Sequence, residues 1–154
     1  MDGAFLDRVD IKFHIPPPTP LARYEILRQR LLALGSSDLL TGHSSRLSSA
    51  YSDLSDSSHN IFSDSTALSS WLPPYPTFLL RYSDVDGHPA KLLWEISEKC
   101  DLVSGRTLQR LPVLAMVLHT TEEPCGIDEM MIALAAAVDQ ELKGNERDEM
   151  KVTK

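Results

Sequence analysis

The sequence predicts a mostly α fold, about four helices preceded by one short strand, with a long aperiodic stretch between the first and second helices. Three observations carry this. Apolar residues recur three and four apart in four separate segments, the period of a helix face. A single segment, VDIKFHI at 9–15, alternates as a half-buried strand does. Of the 35 residues from 36 to 70, 14 are serine, a composition that cannot bury enough apolar surface to order itself. One strand is too little for a domain sheet, so helices must build the core.

Each element follows from local chemistry. Val9, Ile11, Phe13 and Ile15 share one face of the strand, and Pro16, Pro17 and Pro18 end it. Thr19-Pro20 offers an N-cap with proline at the first helical position. Tyr24, Leu27, Leu31 and Leu34 then recur at helical spacing, Arg23, Arg28 and Arg30 lie opposite or flank them, and Gly35 closes the helix. Residues 36–88 read as a Ser/Pro-rich insertion without regular structure, and WLPPYPTFLLRY at 71–82 as a loosely docked apolar stretch. Loop closure costs grow only logarithmically with length, so a surface insertion of this size is tolerable.

Order returns near Pro89. Leu92, Leu93, Ile96 and Cys100 mark a helix over 90–100, and Leu108, Leu111, Ala115 and Leu118 mark the next, from Ser104 to about His119. Pro112 lies inside that helix and removes one backbone hydrogen bond. After the turn EEPCG, Ile127, Met130 or Met131, Leu134, Val138 and Leu142 define a helix to about Lys143, with Asp128 and Glu129 well placed in its first turn. The polar tail at 144–154 is expected to fray.

Bulk properties narrow the function. At 154 residues the chain has the length of one ordinary domain, and a net charge of −7 argues against a protein that grips phosphate backbones of nucleic acid. Cys100 and Cys125 form neither a metal spacing nor a disulfide framework, which suits a reducing compartment. Neither a signal peptide nor an apolar run of membrane-spanning length is present. There is no GxxxxGK[ST], HExxH or GxSxG, and His14, His43, His59, His88 and His119 have no ligand spacing.

One stretch is locally uncomfortable. In SGRTLQRLP, Ser104 reads as an N-cap, which puts Gly105 and Arg106 in the first turn. Exposed N–H groups and the helix dipole make a cation there unfavourable by roughly 0.3–1 kcal/mol. Either Arg106 is a tolerated surface residue, paired with Asp101 or Glu98, or an anion docks at this helix start. In the second case N–H groups, dipole and guanidinium would act on it together, and Gly105 would let it approach the backbone.

The segments AFLDRVDIKFHIPPP, ARYEIL, LLWEISEKCDLVSGRTLQRLPVLAMVL and IDEMMIALAAAVDQEL occur in that order on both flanks of the serine-rich stretch. Together they resemble the C-terminal end of the pachytene checkpoint AAA+ ATPases, the family of the thyroid-hormone-receptor-interacting AAA+ protein. The resemblance implies a part rather than a whole. Residues 1–18 would be the last strand and linker of the large ATPase subdomain, 19–35 the first helix of the small helical lid, and 89–143 its remaining helices. The phosphate-binding loop and the acidic Mg-binding and water-activating pair would lie upstream, so the 154 residues alone are expected to be inactive.

By the same resemblance Arg106 matches the sensor-2 arginine, which reaches from the lid to the γ-phosphate of ATP, and Gly105 lets the helix start pack near the nucleotide. Ile26 matches an apolar position that covers the adenine, although packing between lid helices is an equal reading. Arg8 sits near where such proteins keep an arginine finger, or is a structural arginine paired with Asp7 or Asp10. Leu111-Pro112 matches the family's own kink. The family implies ATP, with Mg held through the large subdomain, and a hexamer that remodels HORMA-domain proteins with their adaptor on meiotic chromosomes in the nucleus. Direct contact with nucleic acid or membrane is not implied. A different class of function, a stand-alone helical interaction module with a Ser-rich arm, leaves SGRTLQRLP unexplained.

Overall fold

The computed structural model describes residues 16–42, 64–121 and 124–152, so the strand expected over 9–15 and Arg8 lie outside the described residues. Among the described residues are helices α1 (Pro20–Gly35), α2 (Asp64–Trp71), α3 (Tyr75–Arg81), α4 (Pro89–Lys99), α5 (Gly105–His119) and α6 (Ile127–Val152), with two-residue strands β1 (Leu40–Thr41) and β2 (Cys125–Gly126). Helix α1 packs against α4 and α5, and α6 against the same two, so four helices enclose one core.

The core is made by the predicted stripes. Tyr24, Leu27 and Leu31 of α1, Leu93 and Ile96 of α4, Leu108, Leu111 and Ala115 of α5, and Ile127, Leu134 and Val138 of α6 are all buried. Met130 and Met131 are both buried, so α6 turns a broad face inward. Leu118 departs from its stripe and stands 58% exposed near the end of α5. Capping follows the sequence: the Thr19 side chain accepts from the Ala22 N–H with Pro20 at the first position, and Ser104 accepts from Thr107 N–H. Pro112 sits in the middle of α5 and is buried. It has no N–H to give the Leu108 carbonyl, the bond a helix would otherwise close there.

Three expectations are corrected. The first concerns 36–88. Residues 71–82 do not dock loosely: they end α2, form α3 and pack on α1 through an aromatic cluster. Tyr24 stacks on Phe78 with ring centroids 5.4 Å apart, and Trp94 of α4 lies 6.2 Å from Tyr24 and 5.1 Å from Tyr75. Polar contacts fix the docking. The Tyr24 hydroxyl donates to the Pro73 carbonyl at 2.8 Å, Arg28 Nε donates to the Leu72 carbonyl at 2.8 Å, and the Tyr75 N–H donates to Glu25 Oε1 at 2.7 Å. Pro76, in the stretch expected to lack regular structure, lies in the first turn of α3, and Pro89, where order was expected to return, starts α4. His88 caps α4, its Nδ1 accepting from the Ala90 N–H, and its ring stacks on Tyr82 at 4.0 Å.

Second, Gly35 is not a left-handed cap. It is the last residue of α1, Ser36 is the C-cap, and the positive φ falls on Asp38 at 57°. A Cβ at Gly35 would stand 2.4 Å from Leu68 Cδ2, so any larger residue must displace the tip of that buried leucine. Third, α6 runs on to Val152 instead of fraying after Lys143, because glutamate, arginine, lysine and methionine in GNERDEMKV are good helix formers. The turn EEPCG also holds β2, which pairs in parallel with β1, Leu40 opposite Cys125 and Thr41 opposite Gly126.

Candidate functional site

Helices α1 and α5 run side by side in the same direction. Ile26 Cδ1 lies 4.0 Å from where a Gly105 Cβ would be, and one turn further along each helix Arg30 Nε donates to the Gln109 carbonyl at 3.1 Å. Neither helix has an acidic residue in its first turn, whereas α6 carries Asp128 and Glu129 there. The start of α5 meets the middle of α1, six residues past Pro20, so the half positive charge at this point is that of α5 alone.

The start of α5 is only partly satisfied. Ser104 takes the Thr107 N–H through its hydroxyl and the Leu108 N–H through its carbonyl. The N–H groups of Gly105 and Arg106 have no partner among the described residues. The Arg106 side chain is exposed and forms no ion pair there either. Asp101, one of its expected partners, is instead 3.1 Å from Arg23.

Gly105 is informative because the fold does not require it. Its φ is not in the left-handed region, and a Cβ would make only ordinary contact with Ile26 at 4.0 Å. Glycine within a helix costs roughly 0.5–1 kcal/mol relative to alanine. Its use at a site where alanine would fit leaves open surface between Ile26, which is half-buried, and the two free N–H groups. The structure thus brings three of the four predicted site residues, Ile26, Gly105 and Arg106, together where the start of α5 meets the middle of α1; Arg8 is outside the described residues. Clefts lined by Leu111, Leu118 and Ala137, by Leu92, Ile96 and Met131, or by Ala136 and Lys143 include none of these three. The half-site is an open surface.

One residue escaped the sequence reading. Arg23, expected on the polar side of α1, is 3% exposed. It lies one turn before Leu27 on the inward stripe, and its guanidinium is buried along with its stem, Nε and Nη1 both shut off from solvent. Its neighbour Cys100 is fully buried, and burial pushes the thiol up to about 11, with Arg23 and Lys99 pulling the other way.

The sequence model of the TRIP13-like, AAA+ ATPase lid C-terminal domain matches residues 19–142, running through the 36–88 segment as well as its flanks. The chain belongs to this lid family. The pachytene checkpoint protein 2 homolog of Oryza sativa subsp. indica is 33% identical over 145 residues, covering 92% of this chain and 27% of that protein. The homolog of Arabidopsis thaliana is 30% identical over 122 residues, covering 75% and 22%. The chain therefore spans about a quarter of the length of these curated relatives. A solved structure described as C. elegans PCH-2 superposes with a TM-score of 0.54 at 20% identity, over 92% of this chain and 30% of that one, which places the helical arrangement in the lid fold. No helix among the described residues is long and apolar enough to cross a membrane.

Proposed function

We propose that this lid contributes one half of an ATP site in an AAA+ remodelling ATPase. Arg106 acts as sensor 2 on the γ-phosphate, Gly105 admits the phosphates to the helix start, and Ile26 covers the adenine. The observation that carries the reading is the start of α5: two unpartnered N–H groups, an unpaired arginine, and a glycine that neither backbone conformation nor packing requires. These groups suit a polyphosphate, whose charge the dipole and guanidinium would offset together. Bound ATP would supply the phosphoryl group, with its Mg held by residues of a large ATPase subdomain. This chain's own part is to orient that group and neutralise its charge.

Membership of the lid family supports hexamer formation, and the relatives' printed names support a role at the pachytene checkpoint. Remodelling of HORMA-domain proteins with their adaptor, on meiotic chromosomes in the nucleus, completes the proposal. In an ATPase carrying this lid, Arg106→Ala should lower ATP turnover by at least two orders of magnitude with unchanged circular dichroism. Gly105→Ala should leave or slightly raise thermal stability while weakening nucleotide use. Turnover within twofold of wild type for Arg106→Ala would refute the assignment.

A further inference from the structure

The contacts of α1 with the α4–α5 turn and with α5 form a single ordered row. Arg23, Ile26 and Arg30, spaced three and four apart on one face of α1, meet Asp101, Gly105 and Gln109, spaced four apart. We infer that Arg23 and Arg30 are positioning residues that clamp the start of α5 in register on α1, one on each side of the Ile26–Gly105 contact, and so fix where Arg106 stands. The functional meaning of the clamp rests on the ATP reading above; the clamp itself is tested without it.

The Arg23 end is unusual. Its guanidinium is buried, with Nε and Nη1 making no hydrogen bond; Nη1 stands 3.1 Å from Asp101 Oδ1 but off the axis a hydrogen bond needs. Asp101 is 81% exposed and lies two residues past the end of α4, where the helix's terminal carbonyls also present negative charge. A buried guanidinium with poor hydrogen bonding is an expensive way to fill a core position. What it gains is a charge that draws the 100–104 turn onto α1 immediately before Ser104 caps α5. That turn is closed by the Val103 N–H donating to the Cys100 carbonyl, so a pull on Asp101 is passed to Ser104 over a short, hydrogen-bonded path.

The Arg30 end acts one turn into α5. Its Nε–H reaches the Gln109 carbonyl, next along the chain from the Leu108 carbonyl that Pro112 leaves without a helical donor. The weakened stretch of α5 is thereby tied to α1 rather than left to bend freely. With both ends held, Gly105 and the Arg106 backbone cannot slide along α1, so the point from which the Arg106 side chain projects is fixed relative to Ile26.

The test uses the 154-residue chain. Arg30→Ala alters an exposed side chain, Asp101→Asn keeps the side-chain volume but removes the carboxylate facing the buried Arg23, and thermal melts of both variants set a working temperature at which each is folded. Amide hydrogen exchange of Val103, Thr107 and Leu108, the hydrogen-bonded amides of this stretch, should rise about tenfold in both variants, exchange over 127–142 should stay at the wild-type level, and Asp101→Glu should restore protection. ATP, titrated while the Gly105 amide and Arg106 Nε–H resonances are followed at a temperature where both proteins are folded, should bind three- to tenfold more weakly to Asp101→Asn, and normally to Asp101→Glu. Exchange of Val103, Thr107 and Leu108 within twofold of wild type in both variants overturns the clamp. If exchange rises as expected but Arg106→Ala in an ATPase carrying this lid keeps turnover within twofold of wild type, the clamp stands and the nucleotide reading fails.

Discussion

Replacing Phe78 by alanine tests whether the 71–82 segment is part of the core. Phe78 is 2% exposed and its ring contacts Tyr24 at 5.4 Å, Trp94 at 5.9 Å and Tyr75 at 6.1 Å between centroids. Truncating a buried phenylalanine costs about 3–5 kcal/mol, which already contains the lost aromatic pairing. In a chain of this length each kcal/mol moves Tm by about 2–4 °C, so a fall on the order of 10 °C is expected. Leu80, on the same short helix but 85% exposed, is the control; Leu80→Ala should stay within about 0.5 kcal/mol of wild type. Urea unfolding followed by fluorescence of Trp71 and Trp94 reads the difference. If Phe78→Ala and Leu80→Ala are equally mild, α3 does not dock, and the correction to the sequence reading is itself wrong.

Three further outcomes are expected. Burial lowers the His88 pKa below its ordinary value, and Nδ1 must stay unprotonated to cap α4. Above pH ~6.5 the ring is neutral in both folded and unfolded states; as pH falls through and below that value the unfolded chain binds the proton first, so stability drops. His88→Asn, which can still cap, should show a flatter decline between pH 7 and 5 in urea melts, and identical slopes would rule this out. Gly35→Ala should destabilise by about 1 kcal/mol, because displacing the tip of buried Leu68 outweighs the helix propensity gained; an unchanged or raised Tm would show that Leu68 yields freely. Cys100 should react with a thiol reagent roughly 100-fold more slowly than an unperturbed thiol at neutral pH, since its pKa stands near 11 rather than 9.0. Fast labelling of the folded chain would contradict the buried position.

Much of the fold was legible because it is written in local periodicity. Tyr24, Leu27 and Leu31 identify the buried face of α1, and Ser104 and Pro112 locate the start and the weak point of α5. The proposed site draws attention for a related reason: Arg106 is out of place at a helix start, and such a misfit is visible without coordinates. What was not legible depends on distant partners. Trp71, Tyr75 and Phe78 do have helical spacing, but their prolines and the serine-rich neighbourhood outweighed it until Tyr24 and Trp94 supplied a surface. Arg23 was read as polar and therefore outward, and only its pairing with Asp101 explains why a guanidinium lies inside. The β1–β2 pairing has no local signature, since Leu40 and Cys125 meet across most of the described chain.

That short pairing also bears on the order in which the chain can assemble. Parallel strands cannot be joined by a tight turn; their partners must be brought together around everything between them. Here the cysteine strand leads directly into α6, which packs on both α4 and α5. Leu40 can meet Cys125 only after α1, α4 and α5 have closed much of the entropic distance between them. The pairing is therefore a late lock rather than a nucleus: it should contribute little to the rate of folding and more to how slowly the assembled lid comes apart.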